Sequence, residues 1–283
     1  MSRHGRRVVR ASYVLHQQFR YAYPGPIDDL HHRLVVAPPD VYGDQRRVSH
    51  RLRVSPKVAV GWDFDPFGNW TANLTAPRLD GTLLLDYEAH IERTARSATA
   101  MAPYWAGDPR YVAPSALTEP DEALRAAARA LLDEGTPHAR LAERINAFVF
   151  RHMKYVSGTT SVATTAAQAF AQGTGVCQDY AHVMLALCRL CGVPARYVSG
   201  HLIGEGGTHA WLEAVEGDPL SGEPVATGFD PTHDRCVNLD YVFVAAGRDY
   251  ADVAPTSGRF VAPYVGRFTT SRRVDVVDVE YAA

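Results

Sequence analysis

From Cys177 to Leu190 the chain carries an almost wholly apolar helix, with Ala181, Met184, Leu185, Leu187 and Leu190 spread around it. A helix that is apolar on nearly every side must be enclosed by other elements. Gly173-Thr-Gly175 halts regular structure before it, and Gly192-Val-Pro194 stops it afterwards. The segments beyond that stop supply the enclosure: Ala195–Gly200, Ala210–Val215 and Val225–Phe229 read as strands able to form an antiparallel sheet. Upstream, Thr118-Glu-Pro-Asp121 offers helix-start chemistry, and Ala123–Leu132 is rich in helix formers. Leu141, Ile145, Phe148 and Val149 recur at helical spacing. The second half is therefore α+β, a buried helix packed on antiparallel strands.

The first third has another texture. From Tyr13 to Glu92 apolar and polar residues alternate, and His32–Val36, Val48–Val54 and Thr82–Tyr87 read as strands. Pro38-Pro39, Tyr42-Gly-Asp44 and Asp65-Pro-Phe-Gly-Asn69 punctuate them as turns. These features predict an all-β domain over 1–93, a proline-bearing connector over 94–120, and the α+β domain over 121–283, with no internal repeat.

Charge narrows the partners. The formal net charge is -2, whereas nucleic acid or an anionic membrane requires a concentrated basic face. Arg3, Arg6, Arg7 and Arg10 at one end, and Arg272 with Arg273 at the other, read as solvated surface. No apolar run reaches the roughly 18 residues that span a bilayer, and Met1–Phe19 lacks the apolar segment of a secretion signal. The expectation is a cytoplasmic protein. Its four cysteines, Cys177, Cys188, Cys191 and Cys236, are too few for a disulfide framework in a chain of 283 residues.

Cys177 heads the buried helix directly after a glycine-containing loop. A helix N-terminus presents unpaired N–H groups and about half a positive charge, which favours thiolate over thiol. The same N–H groups suit a developing oxyanion. A structural cysteine at a helix start is the competing reading, and Cys177 alone does not decide between them. His209, in Gly204-Glu-Gly-Gly-Thr-His-Ala-Trp211, lies where a glycine-rich loop enters an apolar strand. Asp230, in Gly228-Phe-Asp-Pro-Thr232, ends the following strand. Adjacent antiparallel strands can bring Asp230 beside His209, where a carboxylate holds the imidazole tautomer and stabilises the imidazolium. The informative feature is the order Cys, His, Asp across one helix and two strands.

The sequence resembles the bacterial transglutaminase-like family of the papain-like superfamily. The resemblance is carried by Gly175-Val-Cys-Gln-Asp-Tyr-Ala-His182, Gly192-Val-Pro-Ala-Arg-Tyr-Val-Ser-Gly200, Thr208-His-Ala-Trp211, Gly228-Phe-Asp-Pro-Thr232 and Gly247-Arg-Asp-Tyr-Ala-Asp-Val-Ala-Pro255. The β segment ending in the Asp65–Asn69 turn is similar to the β domain that precedes this core in the family. The resemblance implies Cys177 as nucleophile, His209 as base and Asp230 as the residue that orients the base. It also offers Tyr155 as a second oxyanion donor. Competing residues weigh less. His182 lies five residues along the helix from Cys177, about 500° of rotation, and so points roughly 140° away. Asp179 should face away from the sulfur, whose ionisation its charge would oppose. Cys188-Arg-Leu-Cys191 lies within the apolar helix without a second ligand pair. His201, His233 and Cys236 lack ligand spacing, so neither metal nor cofactor is expected. Trp211 is expected to pack beneath the site, and Ile203–Gly207 either to gate it or to serve only as a hairpin turn.

The implied reaction is thiolate attack on an amide carbonyl of a protein or peptide substrate, giving a thioester acyl-enzyme. Water then completes an amidase or peptidase reaction, which is the favoured reading. An amine acceptor instead makes the protein a true transglutaminase, and an idle triad makes it a binding module.

Overall fold

A computed structural model describes residues 8–95, 99–100, 107–217 and 223–282. Arg3, Arg6 and Arg7 of the basic N-terminal cluster, and part of the expected connector, lie outside the described residues. The β-rich first part runs through β1 (Val8–Ala22), β2 (Ile27–Leu34), β3 (Val41–Tyr42), β4 (Gln45–Ser55), β5 (Ala59–Phe64), β6 (Trp70–Leu79), β7 (Thr82–Thr94) and β8 (Thr99–Ala100). Helices α1 (Glu122–Asp133) and α2 (Leu141–His152), strand β9 (Lys154–Tyr155), α3 (Ala166–Gln172) and β10 (Thr174–Gly175) lead to α4 (Cys177–Leu190). Strands β11 (Ala195–Leu202), β12 (His209–Gly217), β13 (Pro224–Asp230), β14 (Arg235–Cys236) and β15 (Tyr241–Gly247) come next. The chain closes with α5 (Tyr250–Val253), β16 (Thr256–Val261) and β17 (Arg267–Tyr281).

Alternation along β1 turns Tyr13, Leu15 and Phe19 inward, and β7 answers with Leu83, Leu85 and Tyr87. One sheet has the order β17-β1-β7-β4-β3, the other β16-β2-β6-β5. Leu30, Leu34 and Leu74 of the second sheet join the same core, so the two sheets form a sandwich. The last two strands belong to it. β17 pairs with β1 (Leu15↔Val274) and β16 with β2 (Ser257↔Arg33), so the C-terminus crosses the boundary that the sequence places at residue 121. Arg272, expected on the solvated surface, instead lies half-buried over the Phe19 ring, 5.5 Å from its centroid, because β17 is an integral strand.

The second part is the expected α+β body. Its sheet has the order β14-β13-β12-β11-β15, with β8 added on β13. Helix α4 packs on β11 and β12, and α1, α2 and α3 surround its other sides. Asp121 caps α1 by accepting from Leu124 N at 2.9 Å, and Gly192, with φ +75°, ends the turn after α4.

The sandwich covers the open edge of this sheet. Asn69, in the Asp65–Asn69 turn, donates from Nδ2 to Ala246 O (2.8 Å) and accepts from Ala246 N (2.9 Å) on β15. Gln45 does the same for Phe243, at 2.8 and 2.9 Å. Two buried carboxamides thus replace the strand that β15 lacks on that side, satisfying edge groups that would otherwise be buried unpaired. A second junction is the buried Arg196–Glu213 ion pair, 2.8 Å apart, joined by the Tyr42 hydroxyl from the sandwich.

Candidate active site

The nucleophile's position is set by a local device at the head of α4. Gly173, with φ +65°, ends α3, and Thr174–Gly175 pairs in parallel with Lys154–Tyr155. This short ladder brings Tyr155 alongside the helix start. Gly175 has no room for a side chain, since a Cβ there would lie 2.6 Å from the Cβ and Oδ2 of Asp179. Asp179 occupies that space and turns its carboxylate towards the loop. Its Oδ2 accepts from Val176 N at 2.8 Å and from Thr160 Oγ1 at 2.7 Å. The charge is thereby tied to the loop preceding the helix. Asp179 N and Tyr180 N turn back onto Val176 O, while the first-turn N–H groups of Cys177 and Gln178 have no intrahelical acceptor. Cys177 is partly exposed at this end.

His209 opens β12 and Asp230 closes β13. These strands are antiparallel neighbours (Leu212↔Phe229), so the start of one and the end of the other meet at the same end of the sheet. His209 Nε2 lies 2.8 Å from Asp230 Oδ2, and the Cys177 side chain is within interaction reach of the same imidazole. Asp230 is completely buried and well bonded. Its Oδ2 also accepts from Tyr241 Oη at 2.5 Å and meets His233 Nδ1 at 2.8 Å, while Oδ1 accepts from Thr232 N at 2.9 Å. Burial alone would raise this carboxyl, but the bonds to His209, Tyr241 and His233 prevail and hold it below the usual carboxylate range. Burial likewise disfavours the His209 imidazolium, and Asp230, Cys177 and Glu205 together outweigh it. The balance favours the protonated ring.

The platform below is aromatic. Trp211 is buried, lies 6.3 Å from the His209 ring centroid at 27°, and meets Tyr241 edge-on at 5.3 Å. Gly200 on β11 makes the room, for a Cβ there would stand 2.2 Å from Val242 O and 2.4 Å from Trp211 Cη2. Trp211 is thus beneath the site, as expected. His182 is fully buried and accepts from Tyr250 N at 3.2 Å, and burial lowers its pKa to about 4. It stands as a neutral structural acceptor. Cys188 and Cys191 are buried at the far end of α4, where burial pushes both thiols up, and Cys236 is exposed on β14. Tyr155 is 55% exposed and feels Cys177, Glu205 and His209 electrostatically, although burial is the larger cause of its raised pKa.

Three neighbours of the site are not apparent from sequence. Tyr241 comes from β15, a strand whose run of buried residues shows no alternation. His233 has no ligand spacing in the sequence, yet the turn after Asp230 folds it back onto that carboxylate. Glu205, in the β11–β12 turn, places Oε2 3.1 Å from His209 Nδ1, but off the line of a hydrogen bond, and Oε1 3.5 Å from His233 Nε2. Histidines at 209 and 233 with Asp230 offer three potential ligand atoms within 4.8 Å of one another. Asp230 Oδ2 is already engaged by three donors there, so a metal ion would have to displace the contacts that organise the cluster.

The chain resembles known proteins in both of its parts. Residues 125–218 match the family model of the transglutaminase-like superfamily, and residues 13–92 match that of the bacterial transglutaminase-like N-terminal region. The first match contains Cys177 and His209, whereas Asp230 lies beyond it. An uncharacterized protein of Mycobacterium leprae is 40% identical over 135 residues, covering 44% of each chain. One of Mycobacterium tuberculosis is 31% identical over 241 residues, covering 76% of each. The chain thus aligns with less than half of the former's length and about three-quarters of the latter's. The crystal structure of a candidate cysteine protease from Cytophaga hutchinsonii has the same fold, with TM-score 0.76 at 22% identity over 96% of this chain and 93% of that one.

Proposed function

The chain belongs to the transglutaminase-like superfamily, and on that premise we propose that it is a cysteine enzyme that opens amide bonds of peptides or proteins through a thioester. Cys177 is the nucleophile, His209 its base and Asp230 the residue that orients the base. The observation that supports this reading is the His209 imidazole held on the buried Asp230 carboxylate, with Cys177, at the head of α4, among the groups that act on the same ring.

His209 takes the thiol proton, and the sulfur attacks the amide carbon, forming the S–C bond. Charge moves to the carbonyl oxygen, where the Cys177 N–H stabilises it. The Tyr155 hydroxyl is the proposed second donor, supported by its place beside the nucleophile and by a raised pKa that keeps it protonated. Collapse breaks the C–N bond as His209 passes its proton to the departing nitrogen. Asp230 stays ionised throughout and holds the ring in register. A water molecule, deprotonated by His209, then attacks the thioester and restores the thiol.

Hydrolysis is the preferred outcome because water is always available, while transfer to an amine uses the same acyl-enzyme. A reducing, cytoplasmic setting is proposed alongside, supported by four free cysteines. The test is to incubate the protein with a glutamine-containing peptide, with and without a primary amine, and identify the products by mass. Loss of ammonia giving a carboxylate indicates an amidase, an amine adduct indicates a transglutaminase, and an unchanged peptide with bound protein indicates a binding module.

A further inference from the structure

Glu205 is fixed rather than merely nearby. Glu205 N donates to Leu202 O at 3.1 Å, and Gly204 takes φ +93°, so Leu202–Glu205 form a tight turn with glycine where a positive φ is required. Ile203 N is tied to Asp240 O at 2.8 Å, and His201 Nδ1 meets Gly207 O at 3.2 Å on the return. From this turn the carboxylate reaches over His209 and spans two imidazoles, 3.1 Å from His209 Nδ1 and 3.5 Å from His233 Nε2. Its side chain remains 40% exposed, so the negative charge is accessible to solvent. The close approach of His209 and the charges of both histidines hold the carboxyl below its ordinary range, against the opposing effect of burial.

This carboxylate is not needed to orient the base, because Asp230 already holds the other ring nitrogen. Against His209 Nδ1 it is unfavourable to the catalytic pair, since it competes with a thiolate for the imidazolium. It also stands where the reaction needs a nitrogen. His209 delivers its proton to the departing amine and receives one from the incoming nucleophile, so the amine side of the reacting bond must lie near the ring edge that Glu205 overhangs. A cation bound there would neutralise Glu205 and release the imidazole to the sulfur.

We infer that Glu205 is the specificity-determining residue for the amine side of the reacting bond. It receives an ammonium or guanidinium group carried by the departing or accepting amine. This rests on the catalytic reading of Cys177 and His209. It adds a substrate class: amides whose amine side bears a second positive charge, such as a basic residue or a diamine.

The test reads charge preference at Cys177 without requiring turnover. Two methanethiosulfonate reagents of equal length, one bearing trimethylammonium and one sulfonate, are reacted with the protein, and modification of each cysteine is followed by peptide mass. Cys236, which is exposed, serves as the internal reference. The cation-to-anion rate ratio at Cys177 should exceed that at Cys236 by about tenfold or more, and Glu205→Gln should remove most of that excess. Glu119→Gln, a surface charge elsewhere, should leave it in place. An excess that survives Glu205→Gln, or no excess in the wild type, overturns the inference. The catalytic reading is judged separately with neutral iodoacetamide. If Cys177 is no faster than Cys236, that reading fails even where the charge preference holds.

Discussion

Asp230 brings three donors, His209, His233 and Tyr241, onto a single buried oxygen. A neutral side chain could not match this arrangement, because carboxamide oxygen is a weaker acceptor and its NH₂ would face donors. Asp230→Asn should therefore lower kcat/KM by as much as about 10⁴-fold, the loss seen when a serine triad loses its carboxylate. Tyr241→Phe removes one donor while leaving the His209 contact, and should cost about tenfold or less. A steady-state comparison of the two variants checks the order, and an equal loss would mean that Asp230 acts through Tyr241. The thiols give a second prediction. Iodoacetamide should label Cys177 much faster than Cys188, Cys191 or Cys236, and should continue to do so below pH 7, because Cys188 and Cys191 are buried with raised pKa values. Equal labelling of Cys177 and Cys236, read by peptide mass, would remove the case for an activated thiol.

Among the elements, helix α4 and its sheet depend on glycines as much as on apolar residues. Gly200→Ala should destabilise the protein by about 1–3 kcal/mol, since the added methyl meets backbone at Val242 as well as the fixed Trp211 ring. Gly61→Ala, on β5 with nothing within 4 Å, should be neutral or slightly stabilising. Urea unfolding of both variants checks the contrast. What the sequence reveals at this scale depends on signal strength. The apolar surface of α4 and the alternation in β4 and β7 are readable because each repeats over many residues. Helix α3 escapes a sequence reading, being only seven residues long. β15 escapes it too, because a buried run such as Tyr241–Gly247 has no alternation to reveal it. His233 and Glu205 carry no sequence signal of their roles. Both reach the site through turns whose direction depends on Gly204 and on the strand ends.

The molecule as a whole is closed by residues distant in sequence. β17 could not be assigned to the sandwich from sequence, because pairing Leu15 with Val274 depends on a register that local pattern does not encode. Three buried histidines, His32 in the sandwich, His182 in α4 and His201 in β11, have pKa values lowered to about 4, chiefly by burial. Between about 6.5 and 4 the unfolded chain binds protons that the folded protein does not, so stability must fall as pH drops through that window. The slope is about 1.4 kcal/mol per pH unit for each histidine. A urea midpoint that stays level from pH 7 to pH 5 would contradict this burial pattern. The central claim, that this site forms a thioester at Cys177, is tested most directly by acid-quenching the protein with a glutamine-containing peptide and measuring intact mass. A covalent acyl adduct, mapped to Cys177, present with Cys188→Ala and missing with Cys177→Ala, is the predicted result. An adduct or amide turnover that persists undiminished in Cys177→Ala would contradict it.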